Sequence, residues 1–211
     1  TPSELTQEVV QKHFNELSLN RAPKTVRNAH AFLVGVLNVY CPDIHLRTAL
    51  PKLQKQIKQL PSVQDILSVI TGTEIELPCL MALWLGMRMS EIRGARFEDI
   101  TDGVLTIKNV VVTVQGEHIE KTQTKTYDST RQIRLPDYIL NLIESLPRTD
   151  KHIITLSGQA IYKRFMRLLK NNDIPHISFH DLRHLNASTM LALGVPDKYA
   201  MERGGWASTN I

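Results

Sequence analysis

The sequence predicts a mainly α protein with a small antiparallel β-sheet, built as two domains. Apolar residues recur at helical spacing over most of the chain, which favours amphipathic helices. One β-branched stretch, residues 104–114, interrupts this pattern and is followed by two shorter candidate strands. A basic, weakly patterned segment, Leu50–Pro61, reads as a linker. We therefore predict a helical domain at residues 1–60, linker included, and a larger domain at residues 61–211.

The amino-terminal part should form two helices. Ser3 is the expected cap of the first helix, and the stretch SLNRAPKT should end it because Pro23 disfavours helix at Ala22. A second helix is predicted from about Lys24, and the segment CPDIH should end it. Its apolar face would carry Val26, Ala29, Leu33, Val36, Leu37 and Tyr40.

The second part should start with a helix capped by Ser62, with Asp65 three residues on. Residues 78–96 predict an apolar helix, a Gly-Met-Arg-Met turn and another helix from about Ser90. The strand at 104–114, a QGEH turn and strands at 119–125 and 131–135 would form the sheet, which Pro136 ends. Residues 137–211 predict helices, with breaks at Pro147, Gly158, 173–175 and 194–196.

Composition excludes several classes of protein. Apolar residues make up 42% of the 211 residues and charged residues 22%, which is typical of a globular chain and not of a disordered or fibrous one. Two cysteines and no CxxC motif argue against a disulfide framework or a zinc finger. There is no membrane-length apolar run and no signal-peptide pattern at the start, so we expect a soluble, cytoplasmic protein.

The net charge of +4 is unevenly distributed. Residues 1–60 hold eight Lys and Arg against four Asp and Glu, whereas residues 61–211 hold seventeen of each. Within the neutral part, residues 148–170 form a basic block of six Lys and Arg against Asp150. Separate basic patches suit a partner with distributed negative charge, such as a nucleic acid backbone, although solvated helix faces would give the same pattern.

The segment Ser178–His184, SFHDLRH, carries the densest polar chemistry. His180 and Arg183 are three residues apart and would share one helix face. A metal site at His176, His180 and His184 is an alternative, but the segment lacks the glutamate of an HExxH site and further carboxylate ligands. A purely structural role in capping and ion pairing is the second alternative.

Three segments in order resemble the tyrosine recombinases, the phage-integrase family. HDLRH followed by Gly204-Gly205-Trp206 resembles the family's carboxy-terminal signature, and residues 85–96, LGMRMSEIRGAR, resemble its first arginine box. Residues 123–127, QTKTY, followed by RQIRLP at 131–136 resemble the hairpin that carries the catalytic lysine. The resemblance covers about residues 62–211 as a catalytic domain, and residues 1–60 resemble a core-binding domain in position, size and charge.

The resemblance implies catalytic roles for five residues. Arg88 and Arg183 would hold the non-bridging oxygens of a DNA phosphodiester and stabilise the charge that develops in the transition state. The alternative is that they form surface ion pairs, for example Arg88 with Glu91. Lys125 would protonate the departing 5′-hydroxyl, with Lys121 as its competitor. His180 would donate to the phosphate or help to deprotonate the nucleophile. Trp206 stands where the family has His or Trp, and its indole could donate one hydrogen bond or simply pack.

Other residues would support catalysis or contact DNA. Glu91, Asp181 and His184 are expected to orient their neighbours rather than to transfer protons. The second helix would present its first side chains to a groove, mostly as phosphate contacts. Residues that flank the cleft would contact DNA too. The expected DNA contacts are Lys24, Thr25, Arg27, His30, Arg93, Arg96 and Lys121.

The family's nucleophile is a tyrosine after the tryptophan box, and no tyrosine follows Trp206 in these 211 residues. Tyr127, Tyr162 and Tyr199 belong to other elements, so we expect a chain that is cut before its nucleophile. The complete protein would exchange strands of double-stranded DNA through a 3′-phosphotyrosine link, without cofactor or metal, as a tetramer on two sites. This chain alone could be a monomer. The alternatives are a non-catalytic DNA-binding regulator derived from a recombinase and a metal-dependent nuclease.

Overall fold

The computed structural model describes residues 4–53, 60–122 and 130–205. Contacts between backbone positions divide the chain into two compact units, residues 1–58 and residues 59–211. Each unit has its own cluster of buried apolar side chains.

The first unit is a pair of helices, α1 (Gln7–Asn20) and α2 (Pro23–Tyr40). Thr6, and not the predicted Ser3, caps α1, since its hydroxyl accepts from the amide of Val9; Ser3 lies outside the described residues. Phe14 of α1 and Val26 of α2 are buried between the two helices and belong to a small apolar core. The break at Pro23 is confirmed, and Pro23 occupies the first turn of α2, where its missing N–H costs nothing.

Two glutamine side chains fasten the segment after α2 to α1. The amide group of Gln7 exchanges two hydrogen bonds with the backbone of Arg47, and Gln11 donates to and accepts from the backbone of Ala49 in the same way. Each side chain thereby mimics a strand neighbour and satisfies backbone groups that no sheet pairs. The segment is therefore held against α1 although it has no regular structure of its own.

The second unit is mainly helical around one large core. Ser62 and Asp65 form the predicted capping box of its first helix. Phe165, Ile66 and Met81 are among the fully buried side chains that fill the interior. Its helices are α3 (Val63–Ile70), α4 (Glu76–Leu83), α5 (Met89–Gly94), α6 (Asp137–Glu144), α7 (Gly158–Asn171), α8 (Asp181–Ala192) and α9 (Asp197–Gly204).

The β-structure differs from the single sheet that the sequence predicted. The stretch 104–114 is divided at Lys108 into β2 (Val104–Ile107) and β3 (Asn109–Val114). β2 lies between a short β1 (Ile100–Thr101) and β5 (Arg131–Arg134) in one antiparallel sheet, and β3 pairs with β4 (Glu117–Thr122) in another. The predicted strand at 119–125 thus begins two residues earlier, and its end at 123–125 lies outside the described residues.

The two pairings meet at Lys108. Ile107 is paired with Arg131, and Asn109 is paired with Thr122. The lysine ammonium lies 2.7 Å from the buried carboxylate of Asp99.

Helix α5 lies directly on the backbone of β3. A Cβ atom built on Gly94 would be 2.4 Å from the carbonyl oxygen of Asn109, which is closer than any side chain tolerates. Only glycine allows the helix to approach the strand at this distance. The contact fixes the position of α5, and with it the residues at its amino-terminal end, relative to the β3–β4 ribbon.

Replacing Gly94 with alanine should lower the free energy of unfolding of the second unit by about 2 kcal/mol, because the added methyl group must push helix and strand apart. Urea denaturation followed by circular dichroism measures this loss. Gly35→Ala is the matched control: Gly35 lies inside α2 with nothing near its Cβ direction, so alanine should stabilise that helix by up to about 1 kcal/mol. An unchanged midpoint for Gly94→Ala would show that the contact constrains nothing.

Candidate active site

Arg88 is positioned by the tight turn between α4 and α5. It is the residue immediately before α5, and its side chain is 44% exposed. Its backbone N–H donates to Glu91 Oε2 at 2.9 Å, and its Nη1 donates to Glu91 Oε1 at 2.7 Å. The glutamate three residues into a helix thereby holds both the backbone and the guanidinium of the capping position. The Arg88 guanidinium therefore lies at the surface in an orientation that Glu91 fixes.

The Glu91 carboxylate is completely buried and is shared with a second arginine. Arg131 of β5 donates from Nη1 to Oε1 at 3.1 Å and from Nη2 to Oε2 at 2.8 Å. With the two donors from Arg88, the carboxylate accepts four hydrogen bonds, which fills its capacity. Burial opposes ionisation of Glu91, but the hydrogen bonds and charge of Arg131, followed by those of Arg88, outweigh it and lower the pKa to about 2. Glu91 is an anion at every working pH.

Arg183 lies deeper, in the first turn of α8, and is 2% exposed. Its Nη1 donates to the carbonyl of Gly86, in the turn before Arg88, and its Nη2 donates to the carbonyl of Gly204 at 2.9 Å. Burial, and then the charge of Arg88, lower the pKa of Arg183 to about 10. Arg183 contacts the carbonyl two residues before Arg88, so the two predicted catalytic arginines are brought together although they are far apart in the sequence.

Three successive carbonyls at the end of α9 each face an arginine. Arg131 Nε donates to the carbonyl of Arg203 at 3.0 Å, Arg183 to that of Gly204, and Arg88 Nη2 to that of Gly205 at 2.8 Å. The last carbonyls of a helix lack partners within it and carry the negative end of its dipole. Oxygen acceptors with partial negative charge thus already lie at the arginine cluster.

Gly205 is required at this position for two reasons. Its φ is +62°, in the left-handed region, and a Cβ there would lie 3.0 Å from Arg131 Nη1. The second glycine of the Gly-Gly-Trp segment therefore ends α9 and leaves room for the guanidinium beneath it.

His180 and Arg183 share a cavity of about 310 Å³. His180 is exposed and precedes α8, and its ring meets that of His184 edge to face, with centroids 5.2 Å apart. Partial burial, the neighbouring His184 and Arg183 lower the pKa of His180 below its usual 6.5, so the ring is mainly neutral at pH 7. A neutral imidazole can accept a proton. Tyr162 of α7 also lines this cavity, a placement that the sequence did not indicate.

Asp181 acts on the backbone that carries His180. Its buried carboxylate accepts from the amide of Ser178 at 2.7 Å and from the hydroxyl of Ser178 at 2.8 Å. These bonds fix the turn that enters α8. Glu91 and Asp181 both contact their neighbours through buried carboxylates, and their orienting roles stay predictions.

The predicted DNA contacts divide into two groups. The side chains of Lys24, Thr25 and Arg27 are exposed in the first turns of α2, and Lys121 is exposed on β4. Two of the predicted catalytic residues, Lys125 and Trp206, lie outside the described residues.

The remaining three predicted DNA contacts face the protein. His30 packs edge to face on Phe14, 5.2 Å between ring centroids. Arg93 is buried and donates to the hydroxyl of Thr113 at 3.4 Å. Arg96 forms ion pairs with Glu98 at 2.6 Å and with Glu120 at 2.7 Å. The three guanidinium nitrogens of Arg96 thus all donate to carboxylates, whereas His30 Nε2 is buried without a hydrogen-bond partner among the described residues.

Arg131 is the residue of the cluster to which the sequence assigned no role. One signal was present: the residues of β5 alternate, and Arg131 falls on the same inward face as the buried Ile133. A charged residue at an inward strand position requires a buried partner. The partner, Glu91, could not be identified from the pattern.

Metal ligands do not gather here: in residues 4–53, 60–122 and 130–205, no three His, Cys, Asp or Glu side chains are grouped as a metal site requires. Nor does this part of the chain contain a helix that is both long and apolar enough to cross a membrane.

Comparison with solved structures identifies the fold. The Tn1549 transposon integrase, solved in complex with transposon right end DNA, matches with a TM-score of 0.79 and 15% identity over 98% of this chain and 79% of its own. The lambda integrase tetramer bound to a Holliday junction matches with a TM-score of 0.70 and 17% identity, over 98% of this chain and 66% of its own. A mainly α fold with small antiparallel sheets is thus confirmed as that of these integrases.

Comparison with protein sequences identifies the family. The prophage phiRv2 integrase of Mycobacterium tuberculosis is 29% identical over 142 residues, which cover 60% of this chain and 38% of that protein. A XerC-like tyrosine recombinase of Caldanaerobacter subterraneus is 20% identical over 96% of this chain and 64% of its own length. The chain thus spans less than two thirds of these relatives. The model of the phage integrase family matches residues 54–211, well over half of the sequence, and the chain therefore belongs to the phage integrase family.

Proposed function

We propose that the chain is the DNA-binding and phosphate-activating part of a site-specific recombinase. One observation carries the proposal: Arg88 and Arg183 converge on the carbonyls at the end of α9, with His180 on the same cavity as Arg183. Two guanidinium groups and an imidazole around a pair of oxygen acceptors form a receptor for a tetrahedral oxyanion. The family to which the chain belongs supports DNA as the source of that oxyanion.

Arg88 and Arg183 would contact a phosphodiester from different depths of the site. Arg88 is half-exposed and would meet the phosphate first, whereas Arg183 would stabilise it from within the cavity. Both would exchange a backbone carbonyl for a phosphate oxygen, which carries more charge and binds more strongly. Because the donors are held before the ligand arrives, they would stabilise the charge of the transition state with little rearrangement.

The reaction that we propose is attack of a tyrosine oxygen on phosphorus. The bond from phosphorus to the 5′-oxygen breaks, and a bond from phosphorus to the tyrosine oxygen forms. His180 would accept the tyrosine proton, and Lys125 would donate a proton to the departing 5′-oxygen. No tyrosine follows Trp206 in these 211 residues, and we assign the attacking oxygen to none of the tyrosines within them.

DNA contacts beyond the reacting phosphate would come from both units. We propose residues 1–60 as the core-binding domain and residues 61–211 as the catalytic domain. Lys24, Thr25 and Arg27 are exposed at the start of α2, and Lys121 on β4, so these four remain in the proposed set. Arg96 is removed from it because its guanidinium is engaged by Glu98 and Glu120, and His30 and Arg93 are removed because their side chains are half-buried and buried, respectively.

The relatives support a tetramer on double-stranded DNA as the working assembly, since the lambda integrase was solved as a tetramer bound to a Holliday junction. We propose the same for the complete recombinase, acting in the bacterial cytoplasm on the chromosome, with no cofactor.

Arg183→Lys should reduce strand cleavage by about a thousandfold, because lysine keeps the charge but loses the planar pair of donors. The measurement is the covalent protein–DNA complex formed on a nicked duplex by a recombinase that contains this chain and its nucleophile. Arg134→Lys, an exposed arginine of β5, is the matched control and should cleave normally.

Duplex binding by Arg183→Lys should stay within about threefold of the wild type, since one contact among many is lost. Parallel loss of binding and cleavage would favour the regulator alternative, in which Arg183 is only part of a DNA-binding surface.

Binding of duplex DNA should weaken steeply with salt, because each phosphate contact releases counterions and contributes about 0.9 to the slope of log affinity against log salt. Lys24→Ala and Arg27→Ala should each reduce that slope by about 1 in a fluorescence anisotropy titration. Lys12→Ala, an exposed lysine of α1 outside the proposed contacts, should leave it unchanged. Equal effects of all three variants would show that only net charge matters.

A further inference from the structure

The side chain of Arg131 spans the distance between two parts of the candidate active site. It is 9% exposed, and its Nε, Nη1 and Nη2 atoms each donate a hydrogen bond. Nη1 and Nη2 donate to Glu91, and Nε donates to the carbonyl of Arg203 near the end of α9. Each of the three nitrogens therefore already donates to an acceptor within the protein.

One partner of Arg131 holds a predicted catalytic residue, and the other lies three residues before a second one in the sequence. Glu91 holds the guanidinium and the backbone amide of Arg88. The carbonyl of Arg203 belongs to the turn that ends α9 at Gly205, directly before Trp206 in the sequence. Gly205 in turn lies on Arg131 with no room for a side chain between them.

Charge and geometry both require arginine at this position. A buried carboxylate with Arg88 as its only cationic partner would pair with an exposed group that must also bind phosphate. Arg131 supplies a second positive charge that stays with Glu91. Its planar fork fixes the plane of the carboxylate, and therefore the direction in which Oε1 holds Arg88. A lysine could supply the charge but only as a point donor.

We propose that Arg131 is a positioning residue of the active site, which orients the Arg88 guanidinium through Glu91 and sets the end of α9 at the same time. The inference rests on the proposed phosphate-binding role of Arg88 and deepens it. The observed hydrogen bonds of Arg131 all go to Glu91 and Arg203, so it would act on the reaction through these neighbours. Arg131 also ties β5 to the helix that follows Arg88 and to the end of α9.

Side-chain nitrogen NMR of the 211-residue chain tests the proposal. Rotation about the Cζ–Nε bond of Arg88 should be slow in the wild type, because both Nη groups have fixed acceptors. Arg131→Lys should accelerate this rotation by about tenfold, the change expected from losing one charge-assisted hydrogen bond at Glu91. Arg134→Lys, three residues along the same strand on its exposed side, is the control and should leave Arg88 as in the wild type.

Titration with inorganic phosphate separates the proposal from the function on which it rests. Arg131→Lys should weaken phosphate binding by about tenfold in the wild-type background and by less than about twofold when combined with Arg88→Ala. A similar loss in both backgrounds would overturn the proposal, as would Arg88 rotation equal to that of the Arg134→Lys control. Phosphate could leave the Arg88 signals of the wild type unchanged while rotation of the Arg88 guanidinium still depends on Arg131. In that case the positioning role of Arg131 is upheld and the phosphate-binding role of Arg88 is refuted.

A second variant keeps the test decisive if Arg131→Lys does not fold. Glu91→Gln retains the shape of the side chain, but its NH2 group is itself a donor. It therefore cannot accept the hydrogen bonds that Arg88 and Arg131 donate to one of the two carboxylate oxygens. It should accelerate rotation in Arg88 and Arg131 together. Slow rotation of Arg88 in this variant would contradict the route from Arg131 through the carboxylate.

Discussion

A fully buried carboxylate that accepts four hydrogen bonds is the interaction on which the candidate site depends. Glu91 joins α5 to β5 through Arg131 and holds Arg88 at the surface. Transfer of a carboxylate from water to a protein interior is expensive, and only well-formed pairing and hydrogen bonds offset it. Removing one partner from such a group costs about 3–5 kcal/mol, so this constraint governs the structure around it. The arginines are therefore arranged by a protein anion before any phosphate arrives.

The parts of the fold that depend on local chemistry could be predicted from the sequence. The capping box at Ser62 and the break at Pro23 follow from side chains acting on their own neighbours. The turn that presents Arg88 and the helix that carries Arg183 were also predicted, because their glycine and helical spacing are local signals. These elements were confirmed with shifts of a few residues at their ends.

The parts that depend on distant partners could not be predicted in this way. β-branched residues on both sides of Lys108 favour a strand but do not show that the chain changes sheets there. Positive charge alone does not distinguish Arg93 and Arg96, which face Thr113 and Glu120, from the exposed Arg27. The role of Arg131 was hidden for the same reason, since its acceptors come from two segments remote from β5. A sequence pattern reports which face a residue takes, and the identity of the partner across the core requires the structure.

The contact between Gly205 and Arg131 also has an evolutionary consequence. A side chain at position 205 is excluded both by the left-handed backbone and by the guanidinium beneath it. Shortening residue 131 would remove only the second of these obstacles and would leave Glu91 without its main partner. A change at either position would therefore disturb the contact that the other position makes. Among descendants that keep the Glu91 anion, the two residues should be inherited as one unit.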